Sequence, residues 1–260
     1  MNILDTIVAR KKKEVAERKK TFPVTYLENL PFYGRECISL KSSLLTPGSS
    51  GIIAEFKRKS PSKGFINEQA DVAMVTKGYA DAGAAGLSVL TDHFFFGGST
   101  EDLVTARAIE LPILRKDFII DEYQVTETKA MGADLVLLIA ACLTPGEVKT
   151  LAKMAVSMGM EVLLELHEEK ELGHICGEIS VIGINNRNLK DFTVNINASL
   201  RLAGLLPPGT VTIAESGIDD PDVIEIFREK GFQGFLIGET FMKEKDPGAA
   251  FGNFVKKIKA

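Results

Sequence analysis

The chain has 260 residues, 45% of them hydrophobic and 25% charged, with a formal net charge of -4. That is enough to bury the core of one α/β domain, and the slight acidity excludes the global basic field of a nucleic-acid binder. Three scattered cysteines, Cys37, Cys142 and Cys176, offer neither a disulfide framework nor metal-ligand spacing and read as buried thiols in a reducing cytoplasm.

Ile3, Leu4, Ile7, Val8 and Val15 recur among Lys, Arg and Glu over residues 2 to 20, which predicts an amphipathic helix whose basic run, Arg10 to Lys13, faces solvent. The apolar residues precede the basic ones, the reverse of a secretory signal, and no run is long enough to cross a bilayer; the expectation is a cytoplasmic protein without membrane contact. Residues 21 to 50, with Pro23, Pro31 and Pro47, predict a loop holding a short helix around Cys37 to Leu45. Residues 1–50 thus read as a helical extension packed on the floor or flank of the α/β unit that begins at Gly51.

From Gly51 onward, apolar runs at 51–55, 86–90, 112–115, 134–139, 161–166, 181–185, 211–214 and 234–237 alternate with amphipathic segments. Eight βα units predict an α/β fold, a (β/α)8 TIM barrel, with residues 1–260 as a single domain. Helix punctuation agrees: Thr144-Pro145-Gly146-Glu147 has the form of a capping box closed by Gly159, Asp220-Pro221 opens a helix ended by Gly231, and Asp246-Pro247 opens the last one.

Barrels of this kind carry their chemistry at the carboxyl ends of the strands. Those ends read Glu55 and Lys57, on one side by strand alternation; Arg115-Lys116-Asp117-Phe118; Glu165; Asn185-Asn186-Arg187; Glu215-Ser216-Gly217; and Gly238-Glu239. A structural ion pair would account for Glu55 and Lys57 alone, but charge converging from six strand ends points to catalysis on an anionic substrate. Ser216, Gly217, Gly238 and Glu239 suit a phosphate cradle of backbone NH groups, with Lys57 in reach. A lysine beside another cation, or partly desolvated, has a lowered pKa and serves as an acid near neutrality, a part open to Lys57 and Lys116; Glu165, after Val162-Leu163-Leu164, is expected to have a raised one. Arg187 offers a fork to a carboxylate or a partner to a glutamate. Of Phe94, Phe95, Phe96 and Phe118, at least one is expected to wall a ring-binding pocket. The common nucleotide-loop and zinc-protease fingerprints are missing.

These residues resemble the indole-3-glycerol phosphate synthase family of tryptophan biosynthesis. The likeness is carried by Ile53-Ala54-Glu55-Phe56-Lys57-Arg58-Lys59-Ser60-Pro61-Ser62, Ser88-Val89-Leu90-Thr91-Asp92, Phe96-Gly97-Gly98-Ser99, Pro112-Ile113-Leu114-Arg115-Lys116-Asp117-Phe118-Ile119, Gly183-Ile184-Asn185-Asn186-Arg187-Asn188-Leu189, Ala214-Glu215-Ser216-Gly217-Ile218 and Phe235-Leu236-Ile237-Gly238. It spans essentially the whole chain. The resemblance implies a lyase that cyclises 1-(2-carboxyphenylamino)-1-deoxyribulose 5-phosphate with loss of carbon dioxide and water, without cofactor or metal. It implies Lys116 as general acid, Glu165 as the base that restores aromaticity, and Lys57 as holder of the substrate carboxylate and a candidate second acid. Glu55 and Glu215 would position lysines and hydroxyls, Asn185 and Arg187 would order the mouth, and Ser60 would bind near the carboxylate. Ser216, Gly217, Gly238 and Glu239 would cradle phosphate, and Phe96, Phe118, Pro61, Leu137 and Leu189 would shape the anthranilate pocket.

Two positions depart from the family pattern. Arg115 stands where an uncharged residue is common, and alternation points it away from the site, so little effect is expected; Glu239 replaces a small residue, leaving only its backbone for phosphate. The loop from Arg58 to about Asn67 is long for a βα connection and is expected to close over substrate. The rival readings are a phosphoribosylanthranilate isomerase, whose cysteine would be expected at strand one, and a catalytically silent phosphometabolite-binding barrel, which would be expected to have lost one of Lys57, Lys116 and Glu165. A monomer acting on a small phosphosugar is expected, with association with other tryptophan-pathway enzymes left open.

Overall fold

Eight parallel strands close on themselves in a computed structural model of the chain, which describes residues 3–188 and 193–258. They are β1 (Ile52–Phe56), β2 (Gly86–Leu90), β3 (Ile113–Lys116), β4 (Leu135–Ile139), β5 (Glu161–Leu166), β6 (Val181–Asn185), β7 (Thr212–Glu215) and β8 (Gly234–Ile237). Each pairs with the next, and β8 returns to β1 with Ile52 opposite Phe235. Three strands end one residue later than the apolar pattern predicts, because the ladder continues through Phe56, Lys116 and Glu215. The helix signals hold: Thr144 and Glu147 form the capping box of helix Pro145–Ser157, and helix Pro247–Ile258 buries Phe251, Phe254 and Val255.

Strand alternation splits the core into two shells. Ile53, Leu114, Leu135, Leu137, Leu163, Val181, Ile213 and Leu236 fill the barrel, while the second set packs against the outer helices. The floor is plugged by a short helix, α2 (Leu40–Leu45), whose Leu40 and Leu44 belong to the inner cluster. Gly86 and Gly234 admit them: a Cβ on either would come within 2.8 Å of Leu40 or 2.9 Å of Leu44.

The extension therefore caps the floor, but only through α2. The first helix, α1 (Ile3–Thr21), runs elsewhere: Ile3, Leu4 and Ile7 line the cavity at the opposite end of the barrel. Lys11, expected on a solvated face, is 5% exposed and reaches Asp92 Oδ2 at 2.8 Å and Asp117 Oδ1 at 3.0 Å, just beyond β2 and β3. Periodicity locates an apolar stripe; it does not show that one lysine of the basic run has carboxylates waiting beneath it. The cysteines are free and half-buried rather than buried. Among the described residues, no helix is long and apolar enough to cross a membrane.

Candidate active site

A residue two positions beyond an inward-facing one points the same way, one layer higher. Ile53, Leu114, Leu163 and Ile213 fill the barrel, so Glu55, Lys116, Glu165 and Glu215 rise above them into one cavity of about 220 Å³. Lys57 joins them, its Nζ 2.7 Å from Glu55 Oε1. Phe96 and Phe118, with ring centroids 6.1 Å apart, and Pro61 and Leu137 make one wall apolar. Ser60, Asn185, Arg187, Ser216, Gly217, Gly238 and Glu239 complete the lining. Leu189 lies outside the described residues. Of the other phenylalanines, Phe94 is 51% exposed and lies under the Arg10 guanidinium, 3.9 Å from the ring centroid.

The electrostatics invert two expectations. Burial alone would strip Lys116 of its proton, but Glu165, Glu215 and Glu55 outweigh it and drive its pKa up; Nζ lies 2.8 Å from Glu165 Oε2 and 3.3 Å from Glu215 Oε2. Apolar walls alone would raise Glu165, yet Lys116 and His167 overcome burial and hold it well below the usual carboxylate range. The raised carboxyl is instead Glu215, pushed to about 7 by burial and by the charge of Glu165, with Lys116 opposing. Both glutamates lean on one ammonium, and it satisfies the nearer one.

Backbone shape makes room for these groups. A Cβ on Gly183 would overlap Oε1 of Glu215, and one on Gly238 would come within 2.6 Å of Glu55 Oε1. Ser216 and Gly217 both take left-handed conformations, φ 67° and 68°, and for the serine this is a strained choice. Asn186 holds it, donating from Nδ2 to the Ser216 carbonyl at 2.7 Å.

The loop after β1 is built rather than slack. Lys59–Ser60 pairs with Gly64–Phe65, and Arg58 grips Asp102 through both terminal nitrogens at 2.6 and 2.9 Å. Lys63 Nζ meets Glu239 Oε1 at 2.5 Å, and Arg187 Nη2 lies 3.9 Å from Glu239 Oε2, so the Glu239 side chain is committed to cations. Asn185 donates to Glu165 Oε1 at 3.0 Å.

Arg115 points away from the mouth, as alternation requires, but it is not inconsequential: it is 3% exposed, with Nη2 3.1 Å from Asp117 Oδ2 and 2.8 Å from Glu127 Oε2. Sequence reasoning missed His167, whose Nε2 is 3.2 Å from Glu165 Oε1. Its signal was the one that linked Glu55 to Lys57, two residues along a strand. Among the described residues, no group of three or more His, Cys, Asp or Glu could hold a metal ion.

The profile of the indole-3-glycerol phosphate synthase family matches residues 4–254. A protein of that name from Bacteroides thetaiotaomicron is 49% identical over 258 residues, 99% of each chain. One from Salinibacter ruber is 44% identical over 254 residues, covering 96% of this chain and 94% of the relative. Among solved structures, a 3-hexulose-6-phosphate synthase superposes with a TM-score of 0.63 at 12% identity, over 80% of this chain and 99% of that one, a likeness of fold alone.

Proposed function

Since the chain belongs to the indole-3-glycerol phosphate synthase family, we propose that it closes the pyrrole ring of 1-(2-carboxyphenylamino)-1-deoxyribulose 5-phosphate, releasing carbon dioxide and water, with residues 1–260 working as one cytoplasmic, monomeric unit. The observation that carries the assignment of roles is the 2.8 Å contact between Lys116 and Glu165, a charged acid and an ionised base in one cavity beside two phenylalanine rings.

The ring carbon bearing the carboxylate attacks the ribulose carbonyl while Lys116 protonates the carbonyl oxygen. Carbon dioxide then leaves with its electron pair donated back to the benzene ring. The new hydroxyl departs as water, and Glu165 removes the ring proton that completes the indole. Lys57 holds the substrate carboxylate near Ser60, whose buried Oγ makes no other hydrogen bond among the described residues. Glu55 orients Lys57, and Glu215 with Asn185 positions substrate hydroxyls and the base. The phosphate sits against the backbone of Ser216, Gly217, Gly238 and Glu239, with Arg187 adding positive charge at the rim. Phe96, Phe118, Pro61, Leu137 and Leu189 receive the aromatic ring. The loop from Arg58 to Asn67 closes over the bound substrate.

The test is the appearance of indole fluorescence from this substrate with no metal added. Wild type should turn over, and Lys116→Ala should lose about 10³-fold or more in kcat while still binding substrate. A folded wild type that binds the substrate without converting it overturns the reading.

A further inference from the structure

Closing an indole ring in this way consumes a proton. The same oxygen is protonated twice on the route, first as the carbonyl under attack and then as the hydroxyl that leaves as water, whereas only one C–H proton returns when the pyrrole ring becomes aromatic. Carbon dioxide takes none away. One proton per turnover must therefore be drawn from a group of the protein and replaced from solvent.

Resting on the synthase reading above, we propose that this proton enters through His167, a positioning residue for Glu165 that stands between that carboxylate and a second cavity. His167 directly follows β5, and its side chain is 8% exposed. Nε2 lies 3.2 Å from Glu165 Oε1, and Nδ1 lies 3.9 Å from Glu171 Oε2. Neither buried ring nitrogen makes an aligned hydrogen bond, so the imidazole is flanked by acceptors without being locked to either. The second cavity, about 670 Å³, is walled by segments after β4, β5 and β6 and includes His167, Glu171 and His174. It meets the mouth only through Leu4, Asn185 and Arg187 among the described residues.

The transfers balance. Lys116 protonates the carbonyl oxygen and becomes a neutral amine. His167 passes its Nε2 proton to Glu165 Oε1, the carboxyl group turns, and Glu165 hands that same proton to Lys116, which leaves Lys116 charged, Glu165 ionised and His167 neutral. Lys116 then protonates the departing hydroxyl. Glu165 takes the ring proton and returns it to Lys116. Only His167 now lacks a proton, and it recovers one from the second cavity.

The groups around His167 keep it supplied. Burial alone would lower its pKa, but Glu165 on its own strand, Glu171 after it and Glu215 on β7 raise it. The Cys142 thiol after β4 is pushed up to about 12 by burial and so stays neutral. Lys116 lies across Glu165, while Lys170, His174 and Arg187 border the second cavity.

The experiment measures kcat and KM from pH 6 to 9 for wild type, His167→Gln and His167→Ala, with and without imidazole. In both variants kcat should fall about tenfold or more with KM within about twofold. The alkaline limb that marks loss of the His167 proton in wild type should vanish, and imidazole should restore turnover to His167→Ala but not to His167→Gln. Glutamine keeps the volume and a donor, so it carries the test if the alanine variant does not fold. Wild-type kcat and an unchanged pH profile in His167→Gln overturn the proposal, as does a loss of kcat in both variants that leaves the alkaline limb in place and ignores imidazole. A wild type that makes no indole product fails the synthase reading instead, a separate result.

Discussion

Arg115 and Lys116 are neighbours on β3 that face opposite sides of the barrel wall, and the clusters they enter differ in balance. On Arg115's side, Arg10, Lys11, Arg18 and Arg115 meet Glu14, Asp92, Asp117 and Glu127, four cations against four carboxylates. On Lys116's side, two permanent cations, Lys57 and Lys116, meet Glu55, Glu165 and Glu215, and the third positive partner is the titratable His167. The balanced cluster has no proton to trade and fastens α1 to the barrel. The unbalanced one keeps a carboxyl half-protonated near neutrality. Both clusters pair Lys with Asp or Glu; the count of permanent charges separates a fastening from a reaction centre.

The largest effect should come from unbalancing the first cluster. Lys11→Met leaves Asp92 and Asp117 buried beside too little positive charge, and should cost about 3–5 kcal/mol in urea unfolding. A loss under about 1 kcal/mol would mean α1 is held by its apolar contacts alone.

Gly183→Ala sharpens the other side of the comparison, because its Cβ would displace the Glu215 carboxylate and leave the fastening untouched. Turnover should fall about 10- to 100-fold, with little change in melting temperature. Equal losses of activity and stability would show that the strand, rather than the carboxylate, had moved.

A smaller effect separates the clusters by pH. Asp117 is held down by Lys11 and Arg115 against the push of burial, so its contribution to stability is present above the usual carboxylate range and is lost as pH falls. Glu215 is raised to about 7, so the folded state binds its proton more tightly than the unfolded chain, and that stability fades as pH rises from about 4.5 through 7. Glu215→Gln should therefore flatten the decline in stability between pH 5 and 7 without altering acid unfolding. Chemical denaturation across pH reads both limbs, and an unchanged slope near neutrality would count against a protonated Glu215.

Least of all should follow from Lys63→Ala. Its pair with Glu239 is exposed, with the lysine side chain 57% accessible, and should contribute less than about 1 kcal/mol to stability. Any change should appear in turnover, if release waits on the loop after β1; stopped-flow product release unchanged in this variant would detach the loop from that step.

Much of this was legible in the chain. Eight apolar runs gave the barrel, and polar residues placed just after them gave the mouth, since the rule that catalysis sits at strand ends needs no coordinates. What was not legible depends on neighbours brought from afar. Lys11 looks like any lysine in a mixed run until Asp92 and Asp117 lie beneath it. Glu165 follows an apolar run, and the inference that it would be the raised carboxyl failed because Lys116, from two strands away, lies closer to it than to Glu215. His167 sits in the polar run Glu168-Glu169-Lys170-Glu171, which disguises a strand-end position as surface.

The pairing of Ile52 with Phe235 also governs how the molecule is made. During synthesis β1 emerges early and has only β2 for company, so until residue 237 has left the ribosome the growing sheet has two unpaired edges. Helix α1 emerges earlier still, yet its buried lysine has only Glu14 as a counterion before Asp92 and Asp117 are made. Catalytic competence thus arrives as a single late event, and a nascent chain stalled anywhere before the last strand is an open sheet exposed to aggregation rather than a weaker enzyme.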